Sequence, residues 1–144
     1  MRKAFVIKLR DGASISVGER TIVVGVLNAT PDSFSDGGRY FDPSYAVDRA
    51  LELESEGAGV IGVGRESTRP GATRLTVKEE LERVTPVLKR LSGQLRVPVA
   101  IDTYKSEVAA AATAEGAAVI NDVSALRFDL RLADVAAREQ AALV

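Results

Sequence analysis

The sequence predicts an α/β fold, the N-terminal half of a (β/α)8 TIM-type barrel: about four βα units preceded by a β-hairpin. Three observations predict it. Short β-branched runs alternate with stretches of helical periodicity, and strict alternation means parallel strands, right-handed crossovers and helices outside the sheet. A helix-to-strand junction recurs as "EGAGVI" (56–61), "EGAAVI" (115–120) and "EQAALV" (139–144). The 144-residue chain stops on the apolar run "AALV", with about half the units of a closed barrel, which needs roughly 200–250 residues. An open doubly wound sheet fits the alternation too; the apolar ending favours a barrel cut short. The organisation read from this is a hairpin over 1–20 and a partial barrel over 21–144.

Each element has a local cause. "AFVIKLRDGASISVGER" alternates about Asp11-Gly12, a pair suited to a type I′ turn, and reads as the hairpin. "TIVVGVL" is nearly all apolar, the mark of a strand buried on both faces. "DPSYAVDRALELESEG" follows as a helix, with Asp42 as N-cap, Pro43 in the first turn and Gly57 past the end. "GVIGVG" is a strand, and "TVKEELERVTPVLKRLSG" is a helix opened by a Thr76–Glu79 capping box, which Pro86 should kink or restart. "VPVAID", "KSEVAAAATAEG", "AVIND" and "DLRLADVAAREQ" continue the alternation, and "AALV" begins a further strand. Glycine at the first two repeated junctions supplies the positive φ that ends a helix, so Gln140 at the third is expected to be strained.

Composition excludes several classes of function. A net charge of −1 gives no electrostatic case for nucleic acid or an anionic membrane. The chain has no cysteine, hence no disulfide or thiolate metal site, and no histidine, the commonest general base. No apolar run is long enough to span a membrane and the N-terminus lacks a signal-peptide pattern, so a cytoplasmic location is expected.

In parallel α/β proteins, ligands bind beyond the carboxyl ends of the strands. "NATPDSFSDGG" (28–38) lies there, and turn chemistry accounts for Pro31, Asp32, Gly37 and Gly38 without accounting for its other polar groups. "RESTRPGA", Asp102-Thr103 and Asn121-Asp122 end the next strands. Each has a plain structural reading: Asp102 as a cap, Asn121-Asp122 as an Asx turn, "STRPG" as a turn, Lys105 and Glu107 as solvated charges. Four consecutive strands ending in amide, carboxylate or guanidinium groups point further. A carboxylate and a carboxamide on neighbouring strands match the edge of a flat heterocycle. An arginine with hydroxyls suits phosphate or carboxylate, and an Asn oxygen suits Mg²⁺ held with substrate phosphates.

"VLNATPDSFSDGG", "ESTRPGA", "AIDTYK" and "VINDVSA", in this order, resemble the dihydropteroate synthases from about Thr21 onward. The resemblance implies a (β/α)8 barrel and a transferase of folate synthesis. Such an enzyme joins 6-hydroxymethyl-7,8-dihydropterin diphosphate to p-aminobenzoate, releases pyrophosphate, uses Mg²⁺ and is the sulfonamide target. It also implies roles for residues. Asn28 would lie near the metal and diphosphate. Phe34, Ser35 and Asp36 would belong to a first loop closing over p-aminobenzoate. Thr68, Arg69 and Pro70 would belong to a second loop touching the aminobenzoate side and the diphosphate. Asp102 and Asn121 would bind the pterin, with Asp102 and Arg69 catalytic in an SN1-like displacement. A homodimer is expected.

The chain departs from the family pattern at three positions: Gly59 and Gly62 stand where the family has aspartates, the second on the floor of the active site, and Arg65 stands where it has glycine. With the second half of the barrel absent, the chain alone is expected to be inactive. The alternative is a half-barrel that folds or self-associates without turnover. Another pterin barrel, a methyltetrahydrofolate-dependent methyltransferase, is disfavoured by the "DSFSDGG" and "STRPG" loops.

Overall fold

The computed structural model describes residues 3–29, 42–64 and 74–144. At its N-terminal end β1 (Phe5–Lys8) pairs antiparallel with β2 (Ser14–Val17), Lys8 opposite Ser14. Asp11 (φ 58°, ψ 26°) and Gly12 (φ 76°) turn the chain, and Ala13 N donates to the Arg10 carbonyl at 3.3 Å. This is the type I′ geometry that Asp-Gly favours.

Five further strands form one parallel sheet: β3 (Val24–Asn28), β4 (Val60–Gly64), β5 (Val99–Asp102), β6 (Val119–Asn121) and β7 (Ala142–Leu143). Helices α2 (Val77–Leu91), α3 (Ser106–Ala114) and α4 (Arg131–Glu139) connect β4 to β7, and α1 (Pro43–Ser55) lies between β3 and β4. The spatial order is β3-β4-β5-β6-β7, the order of the chain. A doubly wound sheet reverses its order at a switch point, so that alternative is excluded and the barrel-type arrangement stands.

Helix ends follow the sequence signals. The Asp42 side chain accepts from Ser44 N at 2.8 Å, with Pro43 opening α1. Thr76 and Glu79 cap each other's backbone N–H at 3.2 and 2.8 Å at the start of α2. Pro86 neither ends nor restarts α2. It lies on the solvent side of the helix, where the carbonyl that loses its partner can turn to water.

Strand residues alternate between two cores. Leu27, Ile61, Val63, Ile101 and Ile120 face the helices and pack on Ala46, Ala50, Val84, Val87, Val108 and Leu132. Val60, Ala100 and Val119 face the concave side, where Leu9 of the hairpin joins them with Ile7, Ile15 and Ile22 packed alongside. The hairpin thus covers the N-terminal ends of the strands, and Arg10 Nη1 donates to the Thr113 carbonyl at the end of α3. The cover stops short of β3. Val24 and Val26 are 51% and 59% exposed, so β3 is buried on its helix side alone, against the expectation of two buried faces.

Gln140 adopts φ 53°, ψ 35° at the end of α4, while Gly57 and Gly116 at the matching junctions have φ 105° and 106°. The left-handed region costs a residue with a Cβ. Gln140→Gly is expected to stabilise the chain by about 0.5–1 kcal/mol, read as a higher urea midpoint with an unchanged slope; a lower midpoint refutes the junction argument.

Candidate functional site

A single transverse row carries the polar strand ends. Asn28 is in register with Gly64, Gly64 with Asp102, and Asp102 with Asn121. At about 4.8 Å per strand the row spans roughly 14 Å, the scale of a flat bicyclic ring with an anionic substituent. The period of two places all four on the concave side, with Val26 and Ala100, at the C-terminal edge.

Asn121 Nδ2 donates to Asp102 Oδ1 at 3.0 Å, and Thr103 N donates to the Asn121 carbonyl at 3.1 Å, fixing the two strand ends together. Burial pushes the Asp102 carboxyl above its ordinary range, and the bond from Asn121 partly opposes that shift. Asp102 is free of the capping duty that a plain reading gives it. Thr103 Oγ1 accepts from Lys105 N at 3.2 Å, and Asp129 Oδ2 accepts from Ser106 N at 2.9 Å, so those residues hold the start of α3. The bond from the Arg131 guanidinium holds the Asp129 carboxyl well below the usual range. The Asx turn after β6 belongs to Asp122, which accepts from Ser124 N, Ser124 Oγ and Leu126 N at 2.7–2.8 Å. Of two adjacent polar residues, the pleat sends Asn121 to the site and Asp122 into the loop.

The glycines of β4 make room for this geometry. A Cβ on Gly64 would lie 3.2 Å from Asp102 Oδ2, and one on Gly62 would lie 3.6 Å from that oxygen and 3.3 Å from Val24 Cγ1. Asp102 therefore leans across β4. An aspartate at 62 would set a second carboxylate against the first. A Cβ on Gly59 would meet Ile22 Cγ2 at 2.9 Å, so the branched Ile22 explains the glycine at the entrance to β4.

One expectation is corrected. Lys105 is not a solvated charge: its Nζ lies 2.6 Å from Glu80 Oε2, and the Glu80 side chain is 1% exposed. Sequence reasoning missed Glu80, although its place in phase with Val84, Val87, Leu88 and Leu91 marks it as core-facing. Phe34, Ser35, Asp36, Arg65, Thr68, Arg69 and Pro70 lie outside the described residues.

Among the described residues, no group of three or more His, Cys, Asp or Glu could hold a metal ion. Asn28 ends β3 and offers one neutral oxygen. That donor fits Mg²⁺ as a single ligand, the others coming from phosphate and water. No helix among the described residues is long and apolar enough to cross a membrane.

Comparison with known proteins agrees with this geometry. The family model described as "Pterin binding enzyme" matches residues 24–144. Dihydropteroate synthase of Bacillus subtilis is 45% identical over 132 residues, which is 92% of this chain and 46% of that protein. The Xanthomonas albilineans dihydropteroate synthase solved with 4-aminobenzoic acid superposes with a TM-score of 0.83 at 46% identity, over 92% of this chain and 49% of that one. The same enzyme in complex with indole-2-carboxylic acid and 6-chloroguanine gives a TM-score of 0.78 at 46% identity, over 87% and 46%. The chain spans about half the length of the curated relatives it matches. With the model matched over most of its length and the polar row in place at the strand ends, the chain belongs to the pterin binding enzyme family.

Proposed function

We propose that the chain forms the pterin-binding half of a dihydropteroate synthase, which condenses 6-hydroxymethyl-7,8-dihydropterin diphosphate with p-aminobenzoate to dihydropteroate and pyrophosphate in folate synthesis. The observation that carries the reading is the Asp102–Asn121 pair, bonded at 3.0 Å on adjacent parallel strands at the concave rim. Asp102 Oδ2 accepts from ring N–H or amino donors, and Asn121 both donates and accepts. As pyrophosphate leaves, the Asp102 carboxylate stabilises the positive charge that develops on the pterin methylene. Asn28 would hold Mg²⁺, whose chemistry here is to neutralise the diphosphate. Arg69 and Thr68, with Pro70, would serve the diphosphate and the aminobenzoate. Phe34, Ser35 and Asp36 would cover the aminobenzoate. A homodimer and a cytoplasmic location belong to the same reading, and sedimentation checks the first.

The test is titration of the chain with 6-chloroguanine, followed by amide and side-chain NMR. Shifts at Asp102, Thr103 and Asn121 are expected; their absence at millimolar ligand overturns the reading. Gly64→Ala should push Asp102 off Asn121 and weaken 6-chloroguanine by about tenfold, the loss of a well-made hydrogen bond to a charged group, with an unchanged circular dichroism spectrum; calorimetry checks it. The second reading, a half-barrel that folds or self-associates without turnover, draws on the exposed concave residues Val24 and Val26. A folded chain that neither binds 6-chloroguanine nor forms dihydropteroate from the two substrates selects it.

A further inference from the structure

We propose that Phe128 is a positioning residue for the Asp102–Asn121 pair, wedged between Tyr104 and Arg74 so that the turns following both residues are locked to the lead-in of α2. The proposal rests on the function above for its ligand readout only.

Phe128 is 56% exposed, so core burial explains little of its placement. Its ring centroid lies 4.9 Å from that of Tyr104 at 41°, and the Arg74 guanidinium carbon sits 5.0 Å from its centroid. Tyr104 follows Asp102 by two residues. Next in the chain, the Lys105 ammonium lies 4.8 Å from the Tyr104 ring and 2.6 Å from Glu80 Oε2. Arg74 and Glu80 flank Thr76, the N-cap of α2. The contacts therefore close on themselves, from the lead-in of α2 through the β6–α4 loop and the β5–α3 turn back to α2.

The backbone is strained to reach this arrangement. Ala125 and Leu126 have φ 52° and 65° in succession, a conformation unfavourable for residues with a Cβ. Asp122 holds them there, its carboxylate accepting from Ser124 N and Leu126 N. What the strained turn delivers is Phe128 onto Tyr104 and Asp129 onto Ser106 N. Both contacts fall on the turn that leaves Asp102, and the strained loop itself leaves Asn121. A pair that must meet a planar ligand within hydrogen-bond tolerance gains from having both flanking turns ordered beforehand, because ordering them on binding would be charged against affinity.

The experiment compares the wild-type chain with Phe128→Ala and Phe128→Tyr. It measures thermal melting, 6-chloroguanine affinity by calorimetry, and amide hydrogen exchange at Lys105, Ser106 and Leu126, whose N–H groups bond to Thr103 Oγ1, Asp129 Oδ2 and Asp122 Oδ2. For Phe128→Ala the melting temperature should move by only a few degrees, affinity should fall about tenfold, and those amides should exchange about tenfold faster. Phe128→Tyr, which keeps the ring, should restore both. A purely structural Phe128 would lower the melting temperature and leave the affinity of the folded protein unchanged, which overturns the proposal. Should the wild type not bind 6-chloroguanine, the proposed function falls and the exchange arm decides alone: faster exchange supports the clasp and unchanged exchange overturns it.

Discussion

Lys105→Met is expected to destabilise the chain by about 3–5 kcal/mol, the cost of leaving a buried charge without its partner. Glu80 is the charge in question. Its side chain is 1% exposed, Oε2 meets Lys105 Nζ at 2.6 Å, and Oε1 has no hydrogen-bond partner among the described residues. Removing the ammonium leaves a carboxylate in the core between α2 and the start of α3. The double variant Glu80→Leu with Lys105→Met removes both charges and should recover most of the loss, since a buried ion pair replaced by apolar groups of similar volume is often neutral or stabilising. Guanidinium denaturation of the four proteins closes the cycle. A single-variant loss below about 1 kcal/mol, the range of exposed pairs, refutes the claim that the pair is a buried one.

Asp102→Asn is expected to weaken 6-chloroguanine or pterin binding by roughly tenfold to a hundredfold, the cost of a buried donor left facing a donor. An asparagine there keeps one oxygen for Asn121 and turns its nitrogen to the ligand. The pH dependence has a definite sign. Burial raises the Asp102 carboxyl above its ordinary value of 3.8, so the ligand-accepting carboxylate is lost at a higher pH than for an exposed aspartate. Affinity should fall as pH descends through the raised value, and the Asp102→Asn variant should lack that limb. Stability runs the other way. The folded state holds the Asp102 proton more tightly than the unfolded state, so the contribution of this group is largest below the unfolded value and is lost as pH rises through the raised one. Calorimetry across the mildly acidic range reads the first effect. Unchanged affinity in Asp102→Asn returns Asp102 to a structural role.

Much of the fold was legible because its causes are local. Asp-Gly dictates the hairpin turn, Asp42 and the Thr76–Glu79 box set helix starts, and the repeated junction marks Gln140 as a left-handed residue. The polar row was legible as well, because every member ends a strand and parallel pairing puts strand ends on one rim. What escaped depends on separations that periodicity does not carry. Glu80 and Lys105 are 25 residues apart, and nothing in either segment names the other. Asp129 caps a helix that begins 23 residues earlier, which left Asp102 with an apparent capping role it does not have. The two faces of β3 read alike in "TIVVGVL", since the sequence records which residues are apolar and not which ones the hairpin reaches. Pro86 does not restart α2, which runs through it from Val77 to Leu91, because the ring lies on the solvent side.

The in-order sheet has a kinetic corollary. When each strand pairs with the next in the chain, no pairing waits for a distant later strand, and the sheet can consolidate one unit at a time as the polypeptide lengthens. The hairpin is the exception. Its Arg10 reaches a carbonyl 103 residues away, and Leu9 packs against residues of β4, β5 and β6. Although it precedes the parallel sheet in the chain, the hairpin has no seat until β6 is laid down. It forms early as a turn and docks only after the strands it covers are in place.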